Sequence, residues 1–590
     1  MPLAPDTGRG ALVRRLFLVW VALGLVATLA SLELLASQQI RGDDALRLVE
    51  VRDLVAGQGW YDLHHYRINP PEGVITHWSR LVDVPIALVL LILTPLLGAH
   101  GAEVAAMVAV PLLTLGVVVG FTGWTTARLF DLRAAGFAAL AIGILVPVLF
   151  QLQPTRLDHH GWQLAAVAAA VAGLVFRSGR TGALFSGAAM ALGANISLEV
   201  LPMAAGFALV FALRWLADDR QRGQIAAYLQ AFAFGLAVLF MATLGPANLT
   251  QYCDAIGPAH LAFFALVAML VSLGTKRASL APIGIAIVLG GAGLAGLAVF
   301  GALAPQCLAS PFSQLDPVVQ QYWYDLVPEG MPIWRQSANE AVPAMVQLAL
   351  ALGATLTIIR RSGGEVRRFW LHYLALLCFA VLLGLATARS IAFAGVIAAV
   401  PLGWFVGHAL ERLTAMRPVS KRAAATVILG LALMPSSMFL LADTVRPVSA
   451  AAAEKSRSTG VFETSCFDRD KVDRLGTLPA GEIFMPFDLG PTVLMRTHHS
   501  VTATGHHRAN RAMADVINAF RGSPQSAHRI VAEHGASYVL LCTEMADTKL
   551  YAESAPGGLA ALLLRGDEPA WLVPVPGFEK GSSRLWRVVD

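Results

Sequence analysis

Arg156-Leu157-Asp158-His159-His160-Gly161-Trp162 stands at the foot of the apolar run 161–177. One carboxylate and two imidazoles in a row, beside a segment apolar enough to cross a bilayer, are oxygen and nitrogen donors of the kind that hold a divalent cation. An Asp at a helix start can also be a simple cap, and a lone His can be an interface residue. Three donors in succession are harder to explain that way. Two more acidic positions fall at comparable places. Asp43-Asp44 follows the first apolar segment, and Glu329 sits in Leu326-Val327-Pro328-Glu329-Gly330-Met331-Pro332.

The remainder of the chain is apolar. Of 590 residues 56% are hydrophobic and only 14% charged, with a mean hydropathy of +0.61. Soluble domains carry about a quarter charged residues, so this is an integral membrane protein. The net charge of +5 is spread over short loops between apolar runs, which speaks against nucleic-acid binding. Five cysteines show no C-x-x-C spacing, so no zinc or redox motif can be read. Cys466 and Cys542 both lie in the polar tail, where they can pair or remain free thiols.

The first apolar stretch, Leu16 to Leu35, follows Arg14-Arg15 and lacks a convincing A-x-A cleavage site, which reads as an uncleaved anchor. Further runs at 103–127, 133–151, 161–177, 181–195, 199–217, 224–246, 259–274, 279–303, 343–359, 369–386, 391–410 and 423–442 bring the expected spans to about thirteen. Lys and Arg concentrate in every second loop: Arg14-Arg15, Arg128 with Arg133, Arg177 with Arg180, Arg220 with Arg222, Lys276-Arg277, Arg360 to Arg368, and Arg412 to Arg422. Basic loops stay cytoplasmic. That rule turns loops 36–102, 152–160 and 304–342 and the tail 443–590 outward.

The run 82–98 does not fit the alternation as a span. Counting it would reverse every later loop. It carries Pro85 and Pro95 and follows a polar segment, so the expectation is a helix lying in or dipping into the outer leaflet. The transmembrane part is expected over 1–442. The tail 443–590 reads as a small α/β domain after a linker at 449–459, with helices at 508–521 and 524–534, a strand over Ser537 to Leu541 and a terminal strand at 584–589.

On the outward side Arg156 and Arg389 are exceptions to the charge rule and candidate partners for an anionic headgroup. Asp43 and Asp44 look like more than a cap for a helix beginning near Ala45. Glu340, at the start of the next span, competes with Glu329 for the same role. His64-His65, Asn69-Pro70-Pro71-Glu72-Gly73 and His77-Trp78 occupy the first outer loop. There Trp78 suits a membrane interface, and His77 is free to be a ligand or its neighbour.

Taken together, these motifs resemble the C-type (GT-C) glycosyltransferases, and among them the catalytic subunit of oligosaccharyltransferase in its archaeal and bacterial single-subunit forms. Asp43 or Asp44 resembles the family's first-loop Asp, and Pro71-Glu72-Gly73…Trp78 its following motif. Asp158-His159-His160 is similar to the second-loop Asp and its histidines, and Val327-Pro328-Glu329-Gly330-Met331-Pro332 to the fifth-loop motif ending in Glu. Arg389 resembles the arginine that contacts donor phosphates. The resemblance thins in the tail. Pro486-Phe487-Asp488-Leu489-Gly490 keeps only the Asp and Gly of the family's Trp-Trp-Asp-Tyr-Gly motif. His498-His499 and His506-His507-Arg508 have no counterpart in it.

The resemblance implies a polytopic α-helical membrane protein with a C-terminal α/β periplasmic domain, in a bacterial inner membrane. The implied reaction moves a sugar or oligosaccharide from a polyprenyl-phosphate or -pyrophosphate donor to an acceptor on the outer face, be it protein, lipid or polysaccharide. A divalent metal ion, Mn2+ or Mg2+, would be held by Asp44, Asp158, His160 and Glu329, with Arg389 and Arg156 on the phosphate. His77, His159, Glu340, Asp488 and His507 stand as secondary candidates. A single-sugar lipid-linked transferase or a polysaccharide polymerase or ligase would share this logic. A transporter would place acids in mid-span, and Glu199 is the residue that suits it.

Overall fold

A computed structural model describes residues 8–38, 40, 42–246, 249–277, 280–437 and 465–589. A helix stands on each of the thirteen expected runs, from Arg9–Ala30 to Val419–Leu433. Among the described residues eight helices are long and apolar enough to cross a membrane, and the shorter apolar ones include Leu132–Ile144 and Pro258–Gly274. The protein is a multi-pass α-helical membrane protein with a small α/β domain at its C-terminal end. The run 133–151 breaks at Leu145, where the chain is extended before the short helix Val146–Phe150. Pro147 lacks the N–H that would continue the first helix. The end of run 423–442 and the linker 449–459 fall outside the described residues, as does the expected boundary at 442.

The awkward run is helical but not straight. Helix Arg80–Leu129 is interrupted at Gly98, whose φ of 71° and ψ of 168° divide it into two limbs. Only glycine takes that backbone without strain. The starts of both limbs are tied to one outer helix, Gly42–Val55. Arg47 pairs with Asp83 at 2.8 Å, and Arg52 holds Glu103, just past the break, at 2.7 and 2.8 Å. A limb that crossed the bilayer would carry its ends to opposite faces. Leu88, Leu91, Ile92, Leu96 and Leu97 are exposed, while Ile86 and Leu90 join the core. This geometry fits a helix laid along the surface with its open side to lipid.

The outer helix is fixed by buried charge. Arg47 and Arg80 share Glu50 and Asp83 in a four-residue network with contacts of 2.8–3.3 Å, all four side chains at most 3% exposed. Removing one member of such a network leaves an uncompensated charge and costs about 3–5 kcal/mol. Trp78 does not face a membrane interface: it is 2% exposed, with the Arg47 guanidinium 4.4 Å from its ring centre.

The first outer loop contributes the hairpin β1 (His64–His65) and β2 (Val74–Ile75). The C-terminal domain holds β3 (Glu482–Phe484), β4 (Ser500–Val501), β5 (Tyr538–Cys542), β6 (Leu572–Pro574) and β7 (Ser583–Val588) in the order β4-β3-β5-β7-β6. β3 runs parallel to β4 and β5, and β7 antiparallel to β5 and β6. Tyr538–Cys542 is buried at every position, as a central strand should be. Helices Asn510–Arg521 and Pro524–Glu533 match the expected ones. Cys466 and Cys542 form a disulfide, and Cys253 and Cys307 form a second that the spacing did not announce.

The C-terminal domain grips the first outer loop. Arg67 donates to the carbonyls of Leu494, Thr497 and His499 at 2.6, 2.9 and 3.3 Å. Val501 exchanges backbone bonds with Arg67 and Asn69 at 2.9 and 2.8 Å. One continuous core runs from Leu46 and Val49 through Ile86 to the sheet residues Ile483 and Val539.

Candidate functional site

Asp43 and Asp44 open helix Gly42–Val55 in its first turn, where carboxylates suit the helix dipole. They diverge from there. Asp44 is buried and fully engaged: Oδ1 accepts the N–H groups of Leu157 and Asp158 at 2.6 and 3.0 Å, and Oδ2 meets Arg156 at 2.8 Å. Asp43 is exposed and lies in the electrostatic field of His159, Asp158, Glu329 and His160.

Asp158 closes the loop before helix His160–Gly173. Its Oδ1 accepts the His160 N–H at 3.0 Å, so it does cap the helix start. Its Oδ2 lies 2.6 Å from Arg156 and 3.0 Å from His160 Nδ1. Burial alone would push this carboxyl up; Arg156 and His160 outweigh it and hold Asp158 well below the usual carboxylate range.

A fourth acid of the cluster is Glu199, in the short turn Leu198–Val200. Its Oε2 lies 3.8 Å from His159 Nε2 and 3.7 Å from His160 Nε2, and it accepts from Gln163 at 3.1 Å. Arg389 pairs with Oε1. Ligand atoms of His159, His160 and Glu199 fall within 4.8 Å of one another. Nε2 of His160 and Nδ1 of His159 are buried with no hydrogen-bond partner, while His160 Nδ1 is paired with Asp158. Buried polar atoms left so are costly. His160 Nε2, 3.7 Å from Glu199 and without a hydrogen bond, is the nitrogen left open to a divalent cation. These residues can hold a metal ion.

Glu329 stands on the rim. Its turn Pro328–Gly330 is joined to the Arg389 turn by a 2.9 Å bond from Ala388 N–H to the Met331 carbonyl. Its half-exposed carboxylate lies 3.6 Å from Arg389 Nη2. Arg389 therefore stands between Glu199 and Glu329. Glu340 is exposed in the first turn of Ala338–Arg361 and accepts from Ser337 at 3.0 Å.

A second cluster gathers His77, His506, His507 and Asp254. His77 Nδ1 lies 3.1 Å from His506 Nε2, and His507 Nε2 lies 2.5 Å from Asp254 Oδ2. Arg508 clamps both Asp254 oxygens at 2.8 Å. Burial pushes the Asp254 carboxyl up, but the bonds from His507 and Arg508 prevail and hold it well below its ordinary range. Asp488 lies apart, in the turn Phe487–Leu489, with burial pushing its carboxyl up to about 6.

Sequence reasoning took Glu199 only as the residue that would suit a transporter, and it passed over Asp254. Glu199 sits at a loop–span junction like the other acids, and that shared placement was its signal. Asp254 carried none: it is a single acid in a short turn.

The fold that carries this cluster is shared with a solved archaeal oligosaccharyltransferase. Solved structures with that fold include the archaeal oligosaccharyltransferase AglB from Archaeoglobus fulgidus with an inhibitory peptide and a dolichol-phosphate. It superposes at a TM-score of 0.63 and 14% identity over 92% of this chain and 72% of that one. The Archaeoglobus fulgidus enzyme tethered to an acceptor peptide with the NVT sequon superposes at 0.63 and 13% identity over 98% and 74%. Its complex with Zn and sulfate gives 0.58 at 14% identity over 92% and 70%. At such identity the likeness is one of fold. No protein-family model and no curated protein sequence matches the chain.

Proposed function

We propose that the protein is a metal-dependent glycosyltransferase that moves a sugar or oligosaccharide from a polyprenyl-phosphate or -pyrophosphate donor to an acceptor on the outer face of the membrane. The observation that carries this reading is Arg389, a guanidinium between Glu199 and Glu329 beside a buried set of cation donors. An anionic leaving group needs both kinds of neighbour. The AglB structure with a dolichol-phosphate supports a lipid-phosphate donor for this fold.

Asp158, His160 and Glu199 would hold the ion, with His159 beside them. An imidazole among the donors favours a transition ion such as Mn2+ over Mg2+. A divalent cation held by these residues would supply Lewis acidity toward the departing phosphate. Arg389 offers its planar fork to the phosphate oxygens and releases Glu329 toward the site. Arg156 fixes Asp44 and Asp158 relative to each other. Asp43, exposed at the mouth, is placed to orient or deprotonate the acceptor, and Asp44 holds the loop beneath it.

The charge alternation and the two disulfides support an outward C-terminal domain, since disulfides persist in oxidising compartments. Cys253 and Cys307 belong to two loops that the alternation turns outward. A bacterial inner membrane with the domain in the periplasm satisfies both observations.

The test is donor turnover by full-length protein in detergent. A panel of polyprenyl-phosphate and polyprenyl-pyrophosphate sugars is incubated with Mn2+, Mg2+ or chelator, and the released carrier is measured by mass spectrometry. Release that needs the ion and disappears in Asp158→Ala and Glu199→Ala is expected. Folded protein that releases carrier from no donor in the panel would overturn the proposal.

A further inference from the structure

His77 belongs to the first outer loop, Asp254 to the turn between helices Arg222–Thr243 and Pro258–Gly274, and His506 and His507 to the C-terminal domain. Three distant stretches of chain thus deliver four metal-binding side chains to one place. One ligand atom from each of the three histidines lies within 4.8 Å of the others. The ring centres form a nearly equilateral triangle: 5.0 Å from His77 to His506, 4.9 Å from His77 to His507 and 5.1 Å from His506 to His507.

That triangle has a specific size. Zinc binds imidazole nitrogen at about 2.0–2.1 Å in tetrahedral sites, which sets ligand nitrogens roughly 3.3 Å apart and ring centres about 5 Å apart. The 3.1 Å between His77 Nδ1 and His506 Nε2 matches one such edge. Asp254 Oδ2 lies beside the triangle, 2.5 Å from His507 Nε2 and 3.9 Å from His77 Nδ1, as the fourth donor within reach. We propose that His77, His506, His507 and Asp254 form a zinc site, separate from the Asp158 cluster, that staples the C-terminal domain to the first outer loop.

Hydrogen bonding and ring stacking are the rival account. They explain pairs: His77 with His506, His507 with Asp254, and the near-parallel rings of His506 and His507. They do not require three rings to be equidistant. The His506 Nδ1 contact with the Arg508 N–H is 3.4 Å long and is easily surrendered when Nδ1 takes the proton that Nε2 must lose to a metal. Arg508 then serves as the outer partner that orients a ligating carboxylate, and it is itself braced over Tyr252 at 4.0 Å. Three nitrogens and one carboxylate oxygen suit zinc rather than magnesium or calcium.

The experiment counts metal. Full-length protein in detergent is stripped with chelator, reloaded with Zn2+ or Co2+, passed over a desalting column and assayed by mass spectrometry and visible absorption. Glu199→Ala is expected to retain one zinc equivalent, with the intense ligand-field band of tetrahedral Co2+, and the double variant Glu199→Ala with His506→Ala to lose both. Chelator should lower the Tm of Glu199→Ala but leave that of the double variant unchanged. A Glu199→Ala protein that binds no zinc, or a double variant with undiminished zinc and Co2+ band, would overturn the site. Should the double variant not fold, the Co2+ band and stoichiometry of Glu199→Ala decide alone. Failure of the transferase reading would show instead as absent donor turnover, with this zinc count untouched.

Discussion

The Asp44 carboxylate is wholly taken up by the loop that carries Asp158, with Arg156 at 2.8 Å on one oxygen and the Leu157 and Asp158 N–H groups at 2.6 and 3.0 Å on the other. Its neighbour Asp43 is exposed. Two adjacent acids, indistinguishable as letters, therefore have different work. Asp44→Asn places amide hydrogens against existing donors, so the loop shifts and the ion set loosens. Donor turnover should fall about 10- to 100-fold with a matching loss of Mn2+ affinity. Asp43→Asn should lower kcat and leave Mn2+ affinity and donor KM near wild type. Steady-state kinetics over a Mn2+ titration separate the two, and equal effects on Mn2+ affinity would refute the division.

Glu199 faces both imidazoles, at 3.8 and 3.7 Å, whereas Glu340 only bonds Ser337 at its own helix start. Glu199→Gln should reduce metal-dependent carrier release about 100-fold or more. Glu340→Ala should stay within about twofold, as exposed substitutions usually do. Carrier release measured side by side checks the pair, and the reverse order would remove Glu199 from the site.

Arg389 touches two carboxylates through separate nitrogens of its fork. Lysine keeps the charge but not the geometry. In Arg389→Lys the donor KM should rise roughly tenfold, with kcat less affected. Arg389→Ala should lose both. An unchanged KM in the lysine variant would mean the fork does not meet the donor.

Burial, and then the nearby Asp488, push the Asp547 carboxyl above its ordinary range. The folded state thus binds a proton that the unfolded chain releases above about pH 4. Stability from this group therefore falls as pH rises from about 4 toward the raised folded value, and stays lower beyond it. Asp547→Asn should raise Tm at pH 8 and change it little at pH 4.5. Thermal unfolding across that range tests the sign, and a pH-independent offset would contradict it.

The Cys466–Cys542 disulfide closes a loop of 76 residues that carries β3, β4 and helices Asn510–Arg521 and Pro524–Glu533. Removing a native disulfide costs about 2–5 kcal/mol. Cys466→Ala with Cys542→Ala should lower the Tm of the C-terminal domain, and reductant should do the same to wild type. A Tm insensitive to both would make the bond dispensable for stability.

Much of this molecule was legible as one-dimensional pattern. Apolar runs and alternating Lys and Arg laid out the helices, because a bilayer forces backbone bonds inside each segment and holds basic loops on one side. The run 82–98 could be recognised as irregular from Pro85, Pro95 and the charge register. Its tie to Gly42–Val55 through Arg47 and Arg52 could not, since those pairs join residues 36 and 51 positions apart. Trp78 was misplaced at an interface for the same reason: its cover is Arg47, which no local pattern reveals. The Cys253–Cys307 disulfide likewise needs two loops to meet.

The sequence by itself determined that the chain crosses a membrane many times, carries a C-terminal α/β domain, and places Asp158, His159 and His160 together at a helix mouth. These follow from periodicity, hydropathy and adjacency, which are local properties of a chain. Only the tertiary structure decided that Glu199 and Arg389 complete that cluster, that Asp44 rather than Asp43 is spent on the loop, and that His77 meets His506 across 429 residues. Those are matters of which side chains packing brings within bonding distance. The physical reason is that a desolvated charge must find its partner in space, wherever along the chain that partner lies.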